Sequence, residues 1–422
     1  MADDVVTIES LTAGGSGLGH LESGMAVFVP RTAPGDRVRL TNVRRHRRHA
    51  EAELAELLEA GPGRVEPACA HFTKDRCGGC QWQHVSPQAQ AAAKRRLVGD
   101  ALRRIGHLDL PDPELIASPR GFGYRTTITL TVRRRGDAPI VGFHDGSAPD
   151  RVFPLERCEI ARPELQALWE AVRGSLGCLP RGEDVRCKLR VSEDGALHVI
   201  VDGGERAWTD GEPIAAAAKR ERLDPTIWWQ PTGGAARRVA GRPADVANVA
   251  FGQVNAEVAE LVRTAVVEAV LTDAGPAADR RVLDLYAGSG ETAIPIAESG
   301  CEVTLVEQDA RAVRRAQERA MAAGVTVRGV AGRVEDHLAG LLPAEVVVVN
   351  PPRSGLSVEV AERLFDSPPR RLVYVSCDPA TLARDLGRLA VAAGQVRTLR
   401  AYDMFPQTSH VETLVVADRI QG

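Results

Sequence analysis

No apolar run in this 422-residue chain approaches the length of a membrane helix, and no basic stretch precedes an apolar one after Met1-Ala2-Asp3-Asp4. A cytoplasmic protein without membrane contact is expected, and a monomer. Net positive charge is also missing: 53 Lys and Arg stand against 56 Asp and Glu, a balance of −3, so no global field attracts a polyanion. There are no repeats, and the one biased tract is the Ala-rich Ile214–Lys219. Eight cysteines in a cytoplasmic chain of this size do not make a disulfide framework. What is present, 44% hydrophobic and 26% charged residues, is ordinary globular composition with length for two or three domains.

The chain is organised around Val282–Glu307. An apolar run, Val282–Tyr286, stops at Ala287-Gly288-Ser289-Gly290, and a helical pattern starts at Glu291. Strand, glycine turn and helix follow from that order. Gly288 and Gly290 permit a tight turn and a close backbone approach to a ligand. The next apolar run, Val303–Val306, ends on Glu307, whose carboxylate can accept both ribose hydroxyls of an adenosine. Gly288–Ala293 also fits the alanine-ended dinucleotide fingerprint, which keeps a nicotinamide or flavin enzyme open. Asp284 points the other way, because a carboxylate just before the turn opposes a pyrophosphate but suits a cationic, phosphate-free cofactor such as S-adenosylmethionine. The bland alternative is a doubly wound domain with an unused turn.

Toward the N-terminus, Val5–Leu11, Met25–Val29 and Arg37–Val43 are β-rich runs between glycine and proline turns, a small all-β, barrel-like module. Ala50–Ala60 has the composition of a helix, with a last barrel strand as the alternative. Arginines cluster at Arg44-Arg45-His46-Arg47-Arg48, Lys94-Arg95-Arg96, Arg133–Arg135 and Arg237-Arg238. Such runs are often only solvated faces; four of them raise a polyanion partner, with Arg44–Arg48 as a phosphate-contacting strand end. Cys69, Cys77 and Cys80 share one glycine-containing loop, and Cys158 follows far downstream. Four thiolates suit either zinc or an iron–sulfur cluster, and spacing does not separate them; buried core cysteines are the alternative. A helix at Lys94–Ile105, strands from Tyr124 to Asp202 and a helix at Pro163–Gly174 make a central α+β region, and Gln253–Val270 reads as a helix leading into the glycine turn.

Three further constellations carry chemistry. The strand Glu345–Val349 ends in Asn350-Pro351-Pro352-Arg353, at the edge where open α/β sheets build sites. Amino-methyltransferases stack a flipped base on an aromatic after such prolines; Arg353 stands there instead. Ser376-Cys377-Asp378-Pro379 puts Cys377 between a strand and a capped helix, where the helix dipole favours thiolate, against the reading of a small core cysteine. His410-Val411-Glu412 opens the strand Thr413–Ala417; either side chain could be a general base, or only a surface group.

Together these residues resemble the RNA uracil-5-methyltransferase family over nearly the whole chain. The resemblance implies a multidomain α/β protein: an RNA-binding, OB-like TRAM β-barrel over residues 1–60, a central α+β domain over 61–252, and a Rossmann-like, doubly wound methyltransferase domain over 253–422. It implies a 4Fe-4S cluster on Cys69, Cys77, Cys80 and Cys158, with zinc as the alternative. Gln253, Tyr286, Glu291, Glu307 and Asn350 fall on the family's cofactor positions, beside Asp284, Gly288 and Gly290 of the turn. Many members carry Asp where Asn350 stands, Asn where Glu291 stands, and Lys where Thr126 follows Gly123-Tyr124-Arg125. The implied activity is S-adenosylmethionine-dependent methylation of uridine carbon 5 in RNA, ribosomal ahead of transfer RNA, at an unpaired or flipped-out nucleotide. Cys377 would form a covalent adduct and Glu412 act as base. A flavin- or nicotinamide-dependent oxidoreductase with an accessory cluster and a non-catalytic RNA-binding protein are the rival readings.

Overall fold

The computed structural model describes residues 4–136, 138–204, 207–244, 252–272 and 280–418, and three sheets are found among them. The first contains β1 (Val5–Thr7), β2 (Ser10–Leu11), β3 (Gly17–His20), β4 (Ala26–Val29), β5 (Arg37–Arg45) and β6 (Ala50–Glu59), ordered β1-β5-β6-β4-β3-β2. Its outer strands β1 and β2 are separated only by Ile8 and Glu9, so one chain segment supplies both edges. Val6, Ile8, Val27, Val29 and Val38 fill its core.

The helix expected over Ala50–Ala60 is not formed; that stretch is β6. It pairs antiparallel with β5 and parallel with β4, burying Ala50 and Ala52. Ala, Leu and Glu prefer a helix by less than about 1 kcal/mol per residue. A helix there would leave β4 and β5 with unpaired backbone, and satisfying those groups outweighs the local preference.

After β7 (Glu114–Ile116), the second sheet takes β8 (Thr127–Arg135), β9 (Ala138–His144), β10 (Val152–Pro154), β11 (Arg186–Val191), β12 (Leu197–Asp202), β13 (Thr226–Gln230) and β14 (Arg237–Gly241), ordered β10-β9-β8-β11-β12-β13-β14. The helices Pro163–Val172 and Glu212–Arg220 pack on it through Leu165, Leu168, Val172, Ile214 and Ala218.

The third sheet holds β15 (Arg281–Leu285), β16 (Glu302–Glu307), β17 (Arg328–Ala331), β18 (Val346–Val349), β19 (Arg371–Ser376), β20 (Val396–Tyr402) and β21 (Glu412–Asp418), ordered β17-β16-β15-β18-β19-β21-β20-β7. β15 to β19 run parallel, and β21 inserts antiparallel between β19 and β20. Val346–Val349 is buried at every residue, as a strand covered on both faces requires. The winding reverses between β15 and β18, which opens a crevice at their carboxyl ends.

Residues 87–116, expected in the central domain, pack instead on this third sheet. β7 adds parallel to β20, and the helix Pro87–Arg104 lies against the helix Pro379–Arg388, placing Val98 and Leu102 in the same core as Leu382 and Leu386. Helix starts are fixed by side chains: Ser86 accepts from Ala89 N, Asn255 from Val258 N, and Asp378 from Ala380 N and Thr381 N. Among the described residues no helix is long and apolar enough to cross a membrane.

Candidate active site and cofactor cleft

The turn after β15 is built by backbone conformation. Tyr286 takes φ 62°, Gly288 56° and Gly290 77°. Left-handed backbone is costly for tyrosine, and such strain concentrates at functional sites. A Cβ on Gly290 would lie 2.9 Å from Ala316 Cβ, so glycine there lets the turn pack on the helix Ala310–Ala322. Gly288 faces open space, and its N–H donates to Glu307 Oε2 at 3.0 Å; Glu307 Oε1 accepts from Asp309 N at 3.0 Å.

A cleft of about 760 Å³ opens beside this turn, lined by Tyr286, Glu307, Glu335, Asn350, Pro352 and Ser357 among others. A second, of about 610 Å³, lies on the other side of the turn and takes Gln253, Ser289 and Glu291 with Arg190, Arg315 and Arg319. The expected cofactor residues are therefore brought to both flanks of one glycine turn. Asp284 lines neither cleft. It is buried beneath the turn, where burial pushes its carboxyl up to about 7, the Ala293 N–H opposing and Glu307 adding. One of its oxygens, Oδ2, has no partner.

Cys377 and Glu412 come together across the sheet. The antiparallel register pairs Ser376 with Thr413, so Cys377 stands opposite Glu412, one step beyond the last ladder pair. Opposed residues of an antiparallel pair project on one face with Cβ atoms about 5 Å apart. Sequence reasoning expects the helix dipole to favour the Cys377 thiolate; the structure reverses the balance. Burial and the facing Glu412 push the thiol above its ordinary range, Asp378 adds, and Arg353 opposes. Burial likewise pushes Glu412 up to about 7, with Arg353 opposing. Arg353 is exposed and makes no hydrogen bond or ion pair among the described residues. It sits between Pro352 and Ser354, which border the larger cleft; Cys377 and Glu412 do not line that cleft. His410 is half-buried, stacked edge-on against Phe405, and burial lowers its imidazole below the usual range.

Cys69, Cys77, Cys80 and Cys158 line one small cavity of about 40 Å³, with Phe72, Arg125 and Ile160. Burial pushes Cys77 up to about 11, Cys80 to about 12 and Cys158 to about 11. The two cysteine segments are pinned together where Glu156 N donates to His71 Nε2 at 2.9 Å, and the first is folded on itself where Cys77 N donates to the His71 carbonyl at 3.0 Å. Among the described residues, the one group of three potential metal ligands within 4.8 Å of one another is His46, His49 and Glu51; no three of the four sulfurs are that close. That trio, with His46 and Glu51 exposed and His49 half-buried, sits at the turn between β5 and β6 among Arg44, Arg45, Arg47 and Arg48.

Residues 333–420 match a family model described as tRNA (Uracil-5-)-methyltransferase, and 264–374 one described as Methyltransferase small domain. A 23S rRNA (uracil(1939)-C(5))-methyltransferase RlmD of Chromohalobacter salexigens is 32% identical over 443 residues, covering 99% of this chain and 89% of the relative. This chain belongs to the RNA uracil-5-methyltransferase family. An uncharacterized RNA methyltransferase of Thermosynechococcus vestitus is 33% identical over 453 residues, spanning 97% of this chain and 96% of the relative. The fold matches the crystal structure of the Pyrococcus abyssi tRNA (uracil-54, C5)-methyltransferase in complex with S-adenosyl-L-homocysteine, with TM-score 0.73, 22% identity and coverage of 97% and 99%.

For this member of the family, sequence reasoning missed Glu335 and Ser357 in the larger cleft. The carboxyl end of β17, next in the sheet to β16, is the signal that could have found Glu335. Asp385 was missed too. It is fully buried, and its Oδ2 accepts from Leu356 N at 2.7 Å and from the Tyr374 hydroxyl at 2.8 Å, clamping the Asn350–Leu356 loop to the helix that Asp378 caps.

Proposed function

We propose that this protein methylates carbon 5 of a uridine in RNA, ribosomal ahead of transfer RNA, through a covalent adduct between Cys377 and the base. The observation that carries this reading is the register of β19 and β21, which opposes a thiol and a carboxyl at the sheet edge beside the glycine-turn clefts. The RlmD relatives support ribosomal RNA as the substrate class.

Fit to S-adenosylmethionine rests on the turn itself. Gly288 leaves open space, Tyr286 and Asn350 flank it, and each Glu307 oxygen keeps a lone pair for a ribose hydroxyl. A pyrophosphate fits poorly, since the Gly288 N–H already serves Glu307 and Asp284 lies below. When bound, S-adenosylmethionine supplies an electrophilic methyl on a sulfonium sulfur. Gln253 and Glu291 would hold its amino-acid end, and Glu307 its ribose, while Asp284 orients the turn.

Carbon 5 of uracil is a poor nucleophile until carbon 6 is attacked. The Cys377 thiolate adds there, the carbon 5–carbon 6 electron pair shifts into an enolate, and carbon 5 can then take a methyl group. Arg353, whose charge lowers both acids, favours the thiolate and can receive charge developing on the base oxygens. Glu412 then takes the carbon-5 proton, the double bond re-forms, and the carbon–sulfur pair returns to Cys377. A stacked uridine cannot reach these groups, so an unpaired or flipped-out nucleotide is the substrate form.

For the four cysteines, the one cavity that all four line supports a shared metal centre, a 4Fe-4S cluster with zinc as the alternative. Anaerobic preparation with iron and sulfide analysis tests it: about four irons per chain are expected, and colourless protein holding one zinc overturns it. The continuity of β1 into β2 supports a closed, TRAM-like barrel, and the exposed Arg44–Arg48 turn gives it a phosphate-contacting end.

The catalytic reading is tested by two variants. Cys377→Ala is to lose methylation altogether. Glu412→Gln is to accumulate a protein–RNA adduct that survives denaturation; free turnover by it rejects the base assignment.

A further inference from the structure

We infer that Gln90 is a positioning residue for Glu412, and that through it the cysteine loop holds the strand carrying the base. The inference rests on the assignment of Glu412 above.

The segment from Asp403 to Val411 joins β20 to β21 and runs directly into Glu412. It has no ladder of its own, so partners elsewhere must satisfy its polar groups and set its path. Some of those groups close local turns, such as Thr408 Oγ1 donating to the Phe405 carbonyl, and the rest find partners in distant parts of the molecule. Ser409 Oγ donates to the Ala13 carbonyl in the turn between β2 and β3 at 2.7 Å, and the Tyr124 hydroxyl to the Pro406 carbonyl at 3.0 Å. The buried Lys94 ammonium donates to Asp403 Oδ1 at 2.5 Å and to the Phe405 carbonyl at 3.0 Å. Trp82, two residues after Cys80, donates its backbone N–H to the Gln407 carbonyl at 2.9 Å.

Gln90 is the hub of this junction. Its side chain is buried, its Oε1 accepts from Gln407 N at 3.0 Å, and its Nε2 faces the Trp82 carbonyl at 3.0 Å, the Val85 carbonyl at 2.8 Å and Gln407 Oε1 at 3.0 Å. One amide thus serves both the cysteine loop and the base segment. Gln407 itself sits at φ 69°, a conformation a non-glycine residue keeps only where surroundings enforce it. Only a side chain with a donor and an acceptor at that reach satisfies both sides; methionine matches the shape but has no donor and only a weak acceptor. Its removal takes the partner from Gln407 N and from the Val85 carbonyl and loosens the segment five residues before the base.

The test uses the iron-loaded full chain and whichever unmodified RNA pool, ribosomal or transfer, takes methyl label from the wild type, with tritium at uridine carbon 5. Gln90→Met is to form the Cys377 adduct near the wild-type rate but release tritium roughly ten- to a hundredfold more slowly, so that adduct accumulates. Tyr124→Phe, which deletes one hydroxyl and keeps the fold, is to shift the same ratio by less, and iron content is to be unchanged in both. A general loss of stability would slow addition and tritium release together. If both variants scale the two steps equally, or change neither, the inference is overturned. Glu412→Gln runs alongside; if it fails to trap adduct, the base assignment itself falls and takes the inference with it.

Discussion

Two acids, Cys377 and Glu412, share the proposed reaction site, and each is harder to ionise than in water because each is withdrawn from solvent. The sign for activity follows. Glu412, raised to about 7, is protonated below that pH and cannot take the carbon-5 proton. The rate of product release from the adduct is therefore to fall as pH drops through about 7, and the raised Cys377 thiol adds a further gain on the alkaline side. A flat rate profile between about pH 6 and 8 would contradict this. Arg353 lowers both groups, so Arg353→Gln is to move the acid limb to higher pH, costing about tenfold in rate on that limb for each unit moved. The places of Cys377, Glu412, Glu307 and Asn350 at strand ends were legible, because apolar runs and motif spacing are local. The direction of the Cys377 shift was not, since it depends on a carboxyl that a separate strand brings opposite.

At the level of elements, the loops around the proposed reaction site are held by buried polar contacts. Asp385 ties Leu356 N and the Tyr374 hydroxyl to its own helix and pairs with Arg384 at 2.7 Å. Asp385→Leu leaves those two donors without their acceptor and breaks the ion pair to Arg384, and a loss of roughly 2–4 kcal/mol in unfolding free energy is expected from denaturant titration. Gly290→Ala combines a left-handed φ with a Cβ 2.9 Å from Ala316; it is to cost about 1 kcal/mol or more and to weaken S-adenosylmethionine binding in calorimetry. Unchanged affinity there would mean that the turn does not form the cofactor site. Strand, turn and helix around β15 were readable because the apolar run and glycines are contiguous. β6 was not, because its partners β4 and β5 decide its state against its own composition.

Across the whole molecule, the parts are tied at one segment rather than strung along the chain. Gln90 and Gln407 are 317 positions apart and hydrogen-bonded to each other. No periodicity or spacing rule reaches that far, which is why the packing of residues 87–116 on the third sheet was also illegible. If the four cysteines hold a cluster that supports this junction, its removal by chelation is to raise amide hydrogen exchange in residues 403–411 while leaving β15 to β18 protected. Exchange spread evenly over the third sheet would instead indicate general unfolding. The Arg44–Arg48 turn makes a separate prediction: replacing its four arginines by glutamine is to weaken RNA binding and flatten its salt dependence, without altering the adduct chemistry of RNA that is already bound.

The most direct measurement is incubation of the wild type and Cys377→Ala with methyl-labelled S-adenosylmethionine and separate unmodified ribosomal and transfer RNA pools, followed by nucleoside mass spectrometry. The proposed function predicts label as 5-methyluridine, in the ribosomal pool and with the wild type alone. Label on another base, or 5-methyluridine made equally well without the Cys377 thiol, would contradict it.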